Sequence, residues 1–406
     1  MWDTLLIWEG ARGFTCHNQA ESRSSKHLST ENTRMQSQLL RLGYQIGLLG
    51  FTRFSNVLAL APRILTIEAQ YLPRVLLVIL LSLLSMPLRL LETLIWGRIL
   101  SGTFINEKPI FILGHWRSGT TLLHNLLIQD TSFGFMSMYQ GIAPECCLVG
   151  GSWLSEILSR MIPEKRPMDN VKWPLDSPQE EEIALSKMLP FAFYISTLFP
   201  KDSTRALVEA IDFEGTRQHR GSAFEIAYSK LLSIATLRAK GKPLVLKNPV
   251  NSGRIKILLK LFPKAQFIHI VRNPYAVYSS TMGLHKSLID ITRLQAPNES
   301  VARDATLENY KTLMLCYLRD RDLIPQGQLA EVRFEDLERE PLKQIEKIYQ
   351  TLGLQGFKSA EPRFKQYIKQ EQDYVKNQAQ ISAEEQRLVS EEWGLSFAAF
   401  GYEFMQ

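Results

Sequence analysis

Cysteine is scarce in this sequence, and its scarcity excludes one class of protein. The 406 residues include only four cysteines, of which Cys146 and Cys147 are adjacent. A small secreted scaffold held by disulfide bonds needs many cysteines spread along the chain. The composition therefore favours a reducing compartment, and we expect a cytoplasmic protein.

Signatures of metal and nucleic-acid binding are also missing. His115, His124, His269 and His285 lie near predicted strands, helices and loops, but none has the ligand spacing of a zinc site. His269 falls inside a predicted strand and His124 on a predicted helix, so packing is the expected role of both. The net charge of +6 is not arranged as a basic stripe with stacking aromatic residues. We expect no metal and no nucleic-acid partner.

The amino-terminal hundred residues lack an uninterrupted membrane span. No charged residue occurs from Val75 to Leu88, but Arg74 and Arg89 bound this run, which is shorter than the ~20 residues that cross a bilayer. More apolar residues follow Arg89. Three interpretations of residues 72–100 stay open: a helix lying in a membrane surface, a membrane span, or a buried core helix.

Polarity divides the chain into three parts. Residues 1–38 are polar and Ser-rich, which predicts a flexible segment. Residues 39–107 are predicted as a helical, apolar extension that associates with a membrane in one interpretation. Residues 1–108 carry 11 Lys and Arg against 7 Asp and Glu, and this excess suits peripheral contact with an anionic lipid surface. The motifs described next lie in residues 108–406, the predicted catalytic domain.

A strand, a glycine-bounded loop and a helix are predicted in succession from Pro109 onward. Gly114 and Gly119 have the spacing of a phosphate-binding P-loop, and Thr121 has the place of its Ser or Thr. Thr120 stands where a nucleoside triphosphatase has its lysine, while Arg117 places a cation earlier in the loop. The loop therefore predicts an anion site of a different kind from an ATP site.

Two further predicted strands end in cations. The run Leu244–Lys247 ends in lysine, and the run from Ala265 ends in Arg272. Strands predicted near residues 110, 244, 267 and 330 alternate with helices, which predicts a parallel sheet flanked by helices. Ligands bind at the carboxyl ends of such strands, so the loop and both cations are expected to converge on a polyanion. The predicted helices are 119–130, 179–189, 221–239, 252–262, 274–283, 303–318 and 341–352.

The motifs together resemble those of sulfotransferases that use 3′-phosphoadenosine 5′-phosphosulfate, here abbreviated PAPS. Arg117-Ser-Gly-Thr-Thr121 is similar to the family's 5′-phosphosulfate loop, and Arg272 with Ser280 eight residues later is similar to its 3′-phosphate signature. The segment Glu331–Pro341 resembles a later family motif, with Phe334 where many members have Tyr. The resemblance covers residues 108 to about 403 and indicates the prokaryotic-type and Golgi-type branch.

This resemblance implies a fold, a donor and a set of binding residues. The fold is α/β, a P-loop-like parallel sheet flanked by helices, preceded here by a helical extension. Lys376 is a candidate because a basic residue near the family's carboxyl terminus approaches the 3′-phosphate, and Ser382-Ala-Glu-Glu385 nearby predicts a helix start. The residues expected to bind PAPS are Arg117, Ser118, Gly119, Thr120, Thr121, Arg272, Ser280 and Lys376.

The catalytic base is expected among three consecutive glutamates. The segment from Pro178 resembles the Pro-x-Glu-x-Glu stretch that supplies the base in this branch, and it reads as a helix start. Successive helical residues point about 100° apart, so only one or two can face the site. Glu180 is favoured and Glu182 is the second candidate. Arg117 and Lys247 are expected to stabilise charge on the leaving phosphate during direct in-line transfer.

Alternatives to this function remain. A P-loop kinase or nucleoside triphosphatase fits the glycine spacing, and a catalytically inactive membrane-associated scaffold fits the apolar extension. The acceptor is left as a glycan, a lipid or another small alcohol, with a weak preference for a membrane-borne hydroxyl. Relatives in the Golgi make a Golgi membrane with a lumenal catalytic domain the alternative to the cytoplasm. The sequence does not predict an oligomeric state.

Overall fold

The computed structural model describes most of the chain from residue 50 onward. The described residues are 50–161 except 66, then 174–284, 292–296, 299–371 and 381–404, with the single positions 43, 45 and 47. The predicted flexible segment 1–38 lies outside these residues, and so do Lys376 and His285.

A four-stranded parallel sheet forms the centre of the molecule. Its strands are β1 (Ile110–Leu113), β2 (Val245–Lys247), β3 (Gln266–Val271) and β4 (Leu329–Arg333), in the order β2-β1-β3-β4. All neighbouring strands pair in parallel. The two inner strands, β1 and β3, are buried along nearly their whole length because helices cover both faces of the sheet. The predicted parallel α/β sheet is confirmed.

Alternate side chains of β1 enter two separate cores. Phe111 packs with residues of the long helix Gln218–Arg238 on one face of the sheet. Ile112 packs on the other face with Leu123 and with the helix Pro341–Leu352. The period of two along a strand produces this division.

Most helices of the catalytic region agree with the predicted ones to within a few residues. The helix start near Glu180 differs by two residues from the predicted one and is described with the site below. The helix Thr120–Leu127, which follows β1, is called the loop helix. The remaining α-helices after β1 are Met138–Ile142, Cys147–Met161, Glu181–Met188, Ser203–Ile211, Gln218–Arg238, Ile255–Leu261, Pro274–Leu284, Glu299–Asp320, Phe334–Arg339, Pro341–Leu352, Phe357–Gln370 and Ala383–Phe400.

A helical extension precedes the sheet. Two short helices, Phe54–Ala59 and Ala61–Ile64, lead to a 30-residue helix, Leu72–Ser101, which is called the apolar helix. Among the described residues, this is the one helix long and apolar enough to cross a membrane by length and composition. It packs against Cys147–Met161 and Gln218–Arg238.

Each strand ends at the same edge of the sheet. Lys247 is the last residue of β2, the loop helix follows β1, Arg272 follows β3, and Phe334 follows β4. Because parallel strands in register bring their carboxyl ends together, residues more than 200 positions apart in sequence lie at one edge. This edge is called the carboxyl edge.

Candidate active site

Two glycines allow the loop after β1 to pack closely against its neighbours. Gly114 has φ +134°, and a Cβ there would lie 2.4 Å from the carbonyl oxygen of Ile270. Gly119 has φ +92°, and a Cβ there would lie 2.2 Å from the ring of Phe334. Both positions therefore require glycine, for its left-handed backbone and for the space it leaves.

The loop turns its backbone toward the start of the loop helix. Arg117 adopts a left-handed φ of +69°, and the amide of Ser118 donates to the carbonyl of His115 at 3.2 Å. Thr120 and Thr121 open the loop helix. Amides in the first turn of a helix have no intrahelical partner, and the helix dipole is positive there. The predicted binding residues of the loop thus lie where an anion is favoured.

Arg117, Arg272 and Ser280 lie together beside this loop. The Arg117 Nε donates to the Ser280 hydroxyl at 2.8 Å, and the Arg272 Nη1 donates to the Arg117 carbonyl at 3.0 Å. The Arg272 guanidinium stacks 4.5 Å from the centre of the Phe334 ring, so Phe334 supports the cation by a cation–π contact. Burial, and further the nearby Arg117, lowers the pKa of Arg272 from its usual value. Two partly buried cations side by side form a site for a multiply charged anion.

Lys247 and Glu180 form the second half of the site. The Lys247 ammonium donates to Oε1 of Glu180, and their side chains are 3% and 13% exposed. The Tyr194 hydroxyl donates to Oε2 of the same carboxylate, and the Trp116 indole donates to the Tyr194 hydroxyl at 3.0 Å. Burial, followed by the charge of Glu180, raises the pKa of Tyr194 well above its usual value. Tyr194 therefore stays protonated and keeps donating to Glu180.

The other two glutamates face the interior. Glu182 is fully buried and pairs with Arg254, at 2.6 Å to Nη1 and 3.1 Å to Nη2. Its carboxylate also accepts from the side chain of Asn248 at 2.9 Å and from the amide of Phe193 at 2.7 Å. Glu181 accepts from the backbone amide of Lys247 at 3.0 Å. Both carboxylates hold the strand ends and turns around the site.

The helix in this segment starts later than predicted. The prediction of 179–189 placed Glu180 in the first turn, but the helix is Glu181–Met188, and Glu180 is its N-cap with extended φ and ψ of −74° and 134°. Pairing of the Gln179 amide with the Met136 carbonyl at 2.9 Å holds the chain extended before the helix. This extended backbone is what turns Glu180 toward Lys247.

His115, His124 and His269 contact backbone carbonyl groups or aromatic rings of the protein. His124 is buried and contacts the Val245 carbonyl at 3.1 Å, and burial lowers its pKa to about 3. His269 stacks on Tyr317 with ring centres 3.5 Å apart, and burial lowers its pKa to about 3. His115 contacts the Trp116 carbonyl at 2.8 Å. Within the described residues, no group of three or more His, Cys, Asp or Glu is placed to hold a metal ion.

Two side chains of the site were not predicted from the sequence as site residues. Neither Tyr194 nor Trp116 is among the residues that the sequence predicts to bind the donor or to take part in transfer. Trp116 lies between the two glycines of the loop, and this position in the sequence could have identified it as a site residue. Tyr194 lies fourteen residues after Glu180 in a short 3₁₀ segment, Phe193–Thr197. No periodic pattern in the sequence relates it to Glu180.

Comparison with known proteins decides the family. A sequence model of the sulfotransferase family matches residues 109–359. A Mycobacterium bovis protein named omega-hydroxy-beta-dihydromenaquinone-9 sulfotransferase Stf3 is 35% identical over 323 residues, which are 80% of this chain and 82% of the relative. The protein of the same name from Mycobacterium tuberculosis gives the same values. The chain belongs to the sulfotransferase family.

Solved structures of sulfotransferases share the fold. Sulfotransferase STF1 from Mycobacterium tuberculosis H37Rv matches with a TM-score of 0.59 and 18% identity, over 79% of this chain and 85% of that one. Sulfotransferase STF9 from Mycobacterium avium matches with a TM-score of 0.59 and 19% identity, over 78% of this chain and 82% of that one. These matches confirm the predicted sulfotransferase fold.

The protein is a sulfotransferase, as the motifs predicted. This assignment selects the sulfotransferase interpretation over the kinase or nucleoside triphosphatase. Members of the family move a sulfuryl group from a donor to an acceptor. Arg117 and Arg272 supply positive charge beside the glycine loop. The donor and the roles of single residues are taken up as proposals.

Proposed function

We propose that this sulfotransferase moves a sulfuryl group from PAPS to a hydroxyl group of a lipid-like acceptor, by direct in-line displacement with Glu180 as the base. One observation carries the proposal. The Lys247–Glu180 ion pair lies at the same carboxyl edge as the glycine loop and the Arg117–Arg272 pair. A carboxylate, a buried ammonium group and two arginines beside a glycine loop thus lie at one edge, and this supports transfer from an anionic donor.

The donor is proposed to bind in two parts. Ser118, Gly119, Thr120 and Thr121 would hold its 5′-phosphosulfate with the amides at the start of the loop helix. Arg272 and Ser280 would hold its 3′-phosphate, with Arg117 between the two parts. Lys376 stays a candidate for the 3′-phosphate outside the described residues. Because Thr120 replaces the lysine that nucleoside triphosphatases use, we propose binding without magnesium.

Glu180 is proposed to take the proton of the acceptor hydroxyl. As the acceptor oxygen forms its bond to sulfur, the bond from sulfur to the 5′-phosphate oxygen breaks, and the proton passes to the Glu180 carboxylate. Lys247 and Arg117 would stabilise the negative charge that develops on the leaving phosphate. The products are a sulfate ester and adenosine 3′,5′-bisphosphate. Glu182 is the weaker candidate because its side chain is 0% exposed and paired with Arg254, whereas the Glu180 side chain is 13% exposed.

The acceptor is proposed to be an apolar molecule that carries a hydroxyl group. The 35% identical relatives are named for an omega-hydroxylated dihydromenaquinone, which is a lipid. The apolar helix supports the same class of acceptor, since it gives the enzyme a way to reach a membrane-borne hydroxyl. We accordingly propose a cytoplasmic enzyme that works at a membrane surface.

The test is transfer of ³⁵S from labelled PAPS by Glu180→Gln and by a control, Asp176→Asn. Asp176 is an exposed carboxylate four residues earlier in the chain, so its loss should leave transfer unchanged. Glu180→Gln should lower kcat by roughly 10²-fold or more, because general bases contribute 10² to 10⁴ in rate. Its affinity for adenosine 3′,5′-bisphosphate should stay within a few-fold of the wild type. Normal turnover by Glu180→Gln would exclude Glu180 as the base.

A further inference from the structure

The apolar helix has its polar and apolar sides reversed relative to a helix at the surface of a soluble protein. Its polar side chains face inward: Ser82, Ser85 and Glu92 are 0%, 2% and 1% exposed. Its outward face carries leucines, of which Leu84 and Leu94 are 63% and 71% exposed. Amphipathic helices of soluble domains place these residue classes the other way around. The helix is therefore suited to an apolar environment on its outer side.

This outer face is long and uncharged. Eleven large apolar side chains between Leu72 and Ile99 are each at least 44% exposed. From Leu72 to Ile95, none of the exposed residues of the helix is charged, over a length of ~36 Å at about 1.5 Å per residue. Exposed leucines on soluble proteins are normally scattered, and a contiguous patch of this size marks a binding surface.

Two of the three arginines of the apolar helix, Arg74 and Arg89, contact protein on its inner side. Arg89 donates to the Phe51 carbonyl and lies 3.5 Å from Glu145. Arg74 donates to the Arg293 carbonyl at 2.6 Å. The two charges that made a membrane span doubtful in the sequence thus point toward protein, and they leave the outer face apolar.

The inner side of the helix packs against the catalytic region along its length. Val75, near its start, packs with Ile195 and Phe199, and Leu100, near its end, belongs to a cluster with Leu154. A helix held alongside a folded domain in this way cannot cross a bilayer as a separate element. It can instead lie parallel to the membrane surface. Only 28% of its most apolar stretch is buried, which argues against a core helix.

A bilayer fits the outer face better than a protein partner does. Protein interfaces of standard size carry roughly one hydrogen bond per 100–200 Å². Between Leu72 and Ile95, the one exposed side chain with a hydroxyl, amide or charge is Thr93. Hydrocarbon offers no hydrogen bonds and requires none from the helix, since its backbone groups are paired internally. The chemistry of the face therefore matches acyl chains.

A second exposed apolar stripe belongs to a helix that packs on the first. Trp153, Ile157 and Met161 recur every four residues on Cys147–Met161 and are 49%, 48% and 39% exposed. Tryptophan is enriched where membrane proteins meet the lipid headgroups. Arg98 is exposed near the end of the apolar helix, and a cation there suits anionic headgroups.

The amino-terminal half of the apolar helix lies one layer from the proposed base. Tyr71 and Val75 pack with Ile195 and Leu198. Ile195 lies in the 3₁₀ segment that carries Tyr194, and Leu198 follows that segment. Tyr194 in turn donates to Glu180. Contact of the helix with lipid would thus bring the acceptor side of the site to the bilayer surface.

We propose that the apolar helix lies flat in the surface of a phospholipid bilayer, with its Leu72–Ile95 face among the acyl chains and the acceptor site beside it. The part of this proposal that concerns the acceptor rests on the proposed function. The lipid contact itself does not, because vesicle binding is measured without donor or acceptor.

The test is flotation of the full chain with vesicles of phosphatidylcholine and phosphatidylglycerol in equal parts. The variant Leu76→Glu/Leu84→Glu/Leu94→Glu places three charges on the outer face and should lower the vesicle-bound fraction by ~10-fold or more. The control Ile226→Glu/Leu315→Glu/Leu395→Glu changes three exposed apolar residues on other helices and should float like the wild type. Equal affinity of both variants for adenosine 3′,5′-bisphosphate verifies that they are folded.

A measurement on the wild type complements the variants. Lipids with brominated acyl chains should quench the tryptophan fluorescence of the wild-type chain, and Trp153→Phe should reduce the quenched fraction. The proposal is overturned if the wild-type chain does not float, or if the apolar-face variant floats equally well. A wild-type dimer that fails to float and becomes monomeric in that variant would assign the face to a second copy instead. Flotation without sulfuryl transfer would contradict the proposed function alone.

Discussion

Tyr194 is the residue whose role emerges only from the three-dimensional structure. Its hydroxyl donates to Glu180 and accepts from the Trp116 indole, so it fixes one carboxylate oxygen while Lys247 holds the other. A residue that acts through the base in this way is a positioning residue. The sequence could not show this, because nothing in local periodicity relates positions 180 and 194.

Tyr194→Phe should slow the reaction without weakening donor binding. Removing the hydroxyl leaves Glu180 one hydrogen bond short, and hydrogen bonds to charged groups contribute about 1.5–3 kcal/mol. We expect kcat to fall by ~10-fold or more and the acidic limb of the pH–rate profile to move to higher pH, because a carboxylate that loses a hydrogen-bond donor is protonated more easily. Bisphosphate affinity should stay unchanged. Steady-state kinetics across pH checks this. An unchanged profile together with a normal kcat would contradict the positioning role.

Gly119→Ala should damage the donor site. The added Cβ would lie 2.2 Å from the Phe334 ring that supports Arg272, so the loop or the ring must move. We expect affinity for adenosine 3′,5′-bisphosphate to fall by at least ~10-fold, an effect of about 1.4 kcal/mol. Gly353→Ala is the matched control, since Gly353 has φ +62° with nothing within 4 Å. The control should lose ~1–2 kcal/mol of stability through backbone strain and keep its affinity, and calorimetric titration compares the two.

Glu181 should make stability depend on pH. Burial raises its pKa to about 8, so the folded chain holds a proton that the unfolded chain, with an ordinary glutamate pKa, releases at lower pH. The stabilisation from this group is complete below the unfolded pKa and is lost as pH rises through about 8. Glu181→Gln should flatten the fall in unfolding free energy between about pH 5 and pH 8, as measured by urea denaturation. An unchanged slope would show that Glu181 is ionised in the folded protein.

At the scale of elements, local signals predicted most of the fold correctly. Strands near 110, 244 and 267 were marked by apolar runs that end in Gly, Lys or Arg, and the strand near 330 was marked by the family-like segment Glu331–Pro341. The start of the helix Ala383–Phe400 was marked by a capping box, which the structure contains: the Glu385 amide donates to the Ser382 hydroxyl, and the Ser382 amide donates to the Glu385 carboxylate. The error at Glu180 came from pairing between distant backbone segments, which helix-start signals do not include.

The last helix supports the helix that carries Ser280. Tyr275 packs on Phe397 with ring centres 4.9 Å apart, and its hydroxyl hydrogen-bonds to Ser390 at 2.6 Å. Ser382→Ala removes the cap and should cost about 1 kcal/mol of unfolding free energy. Bisphosphate affinity should change little, because packing and not the cap positions Ser280. Urea denaturation and calorimetry together check this, and a large loss of affinity without a loss of stability would contradict it.

At the scale of the molecule, the site is an outcome of topology. The order β2-β1-β3-β4 brings Lys247, the glycine loop and Arg272 to one edge, as the rule for parallel sheets predicted. What the sequence could not resolve depends on tertiary contacts. It favoured Glu180 over Glu182 but could not show where the side chains of the three glutamates point, because their directions are set by partners such as Arg254 and Lys247. It also left undecided whether the apolar helix contacts a membrane, spans it or is buried in the core. The sequence alone did not show which face of this helix packs on the domain.

The central claim is that cations from separate strands bind one adenosine nucleotide with two phosphate groups. Calorimetric titration of the wild type and Arg272→Ala with adenosine 3′,5′-bisphosphate and with adenosine 5′-monophosphate tests it most directly. We predict that the wild type, without magnesium, binds the bisphosphate more tightly than the monophosphate. Arg272→Ala should lose ~10-fold or more in affinity for the bisphosphate and keep its affinity for the monophosphate. Equal losses for both nucleotides, or tighter binding of magnesium-ATP by the wild type, would contradict the account.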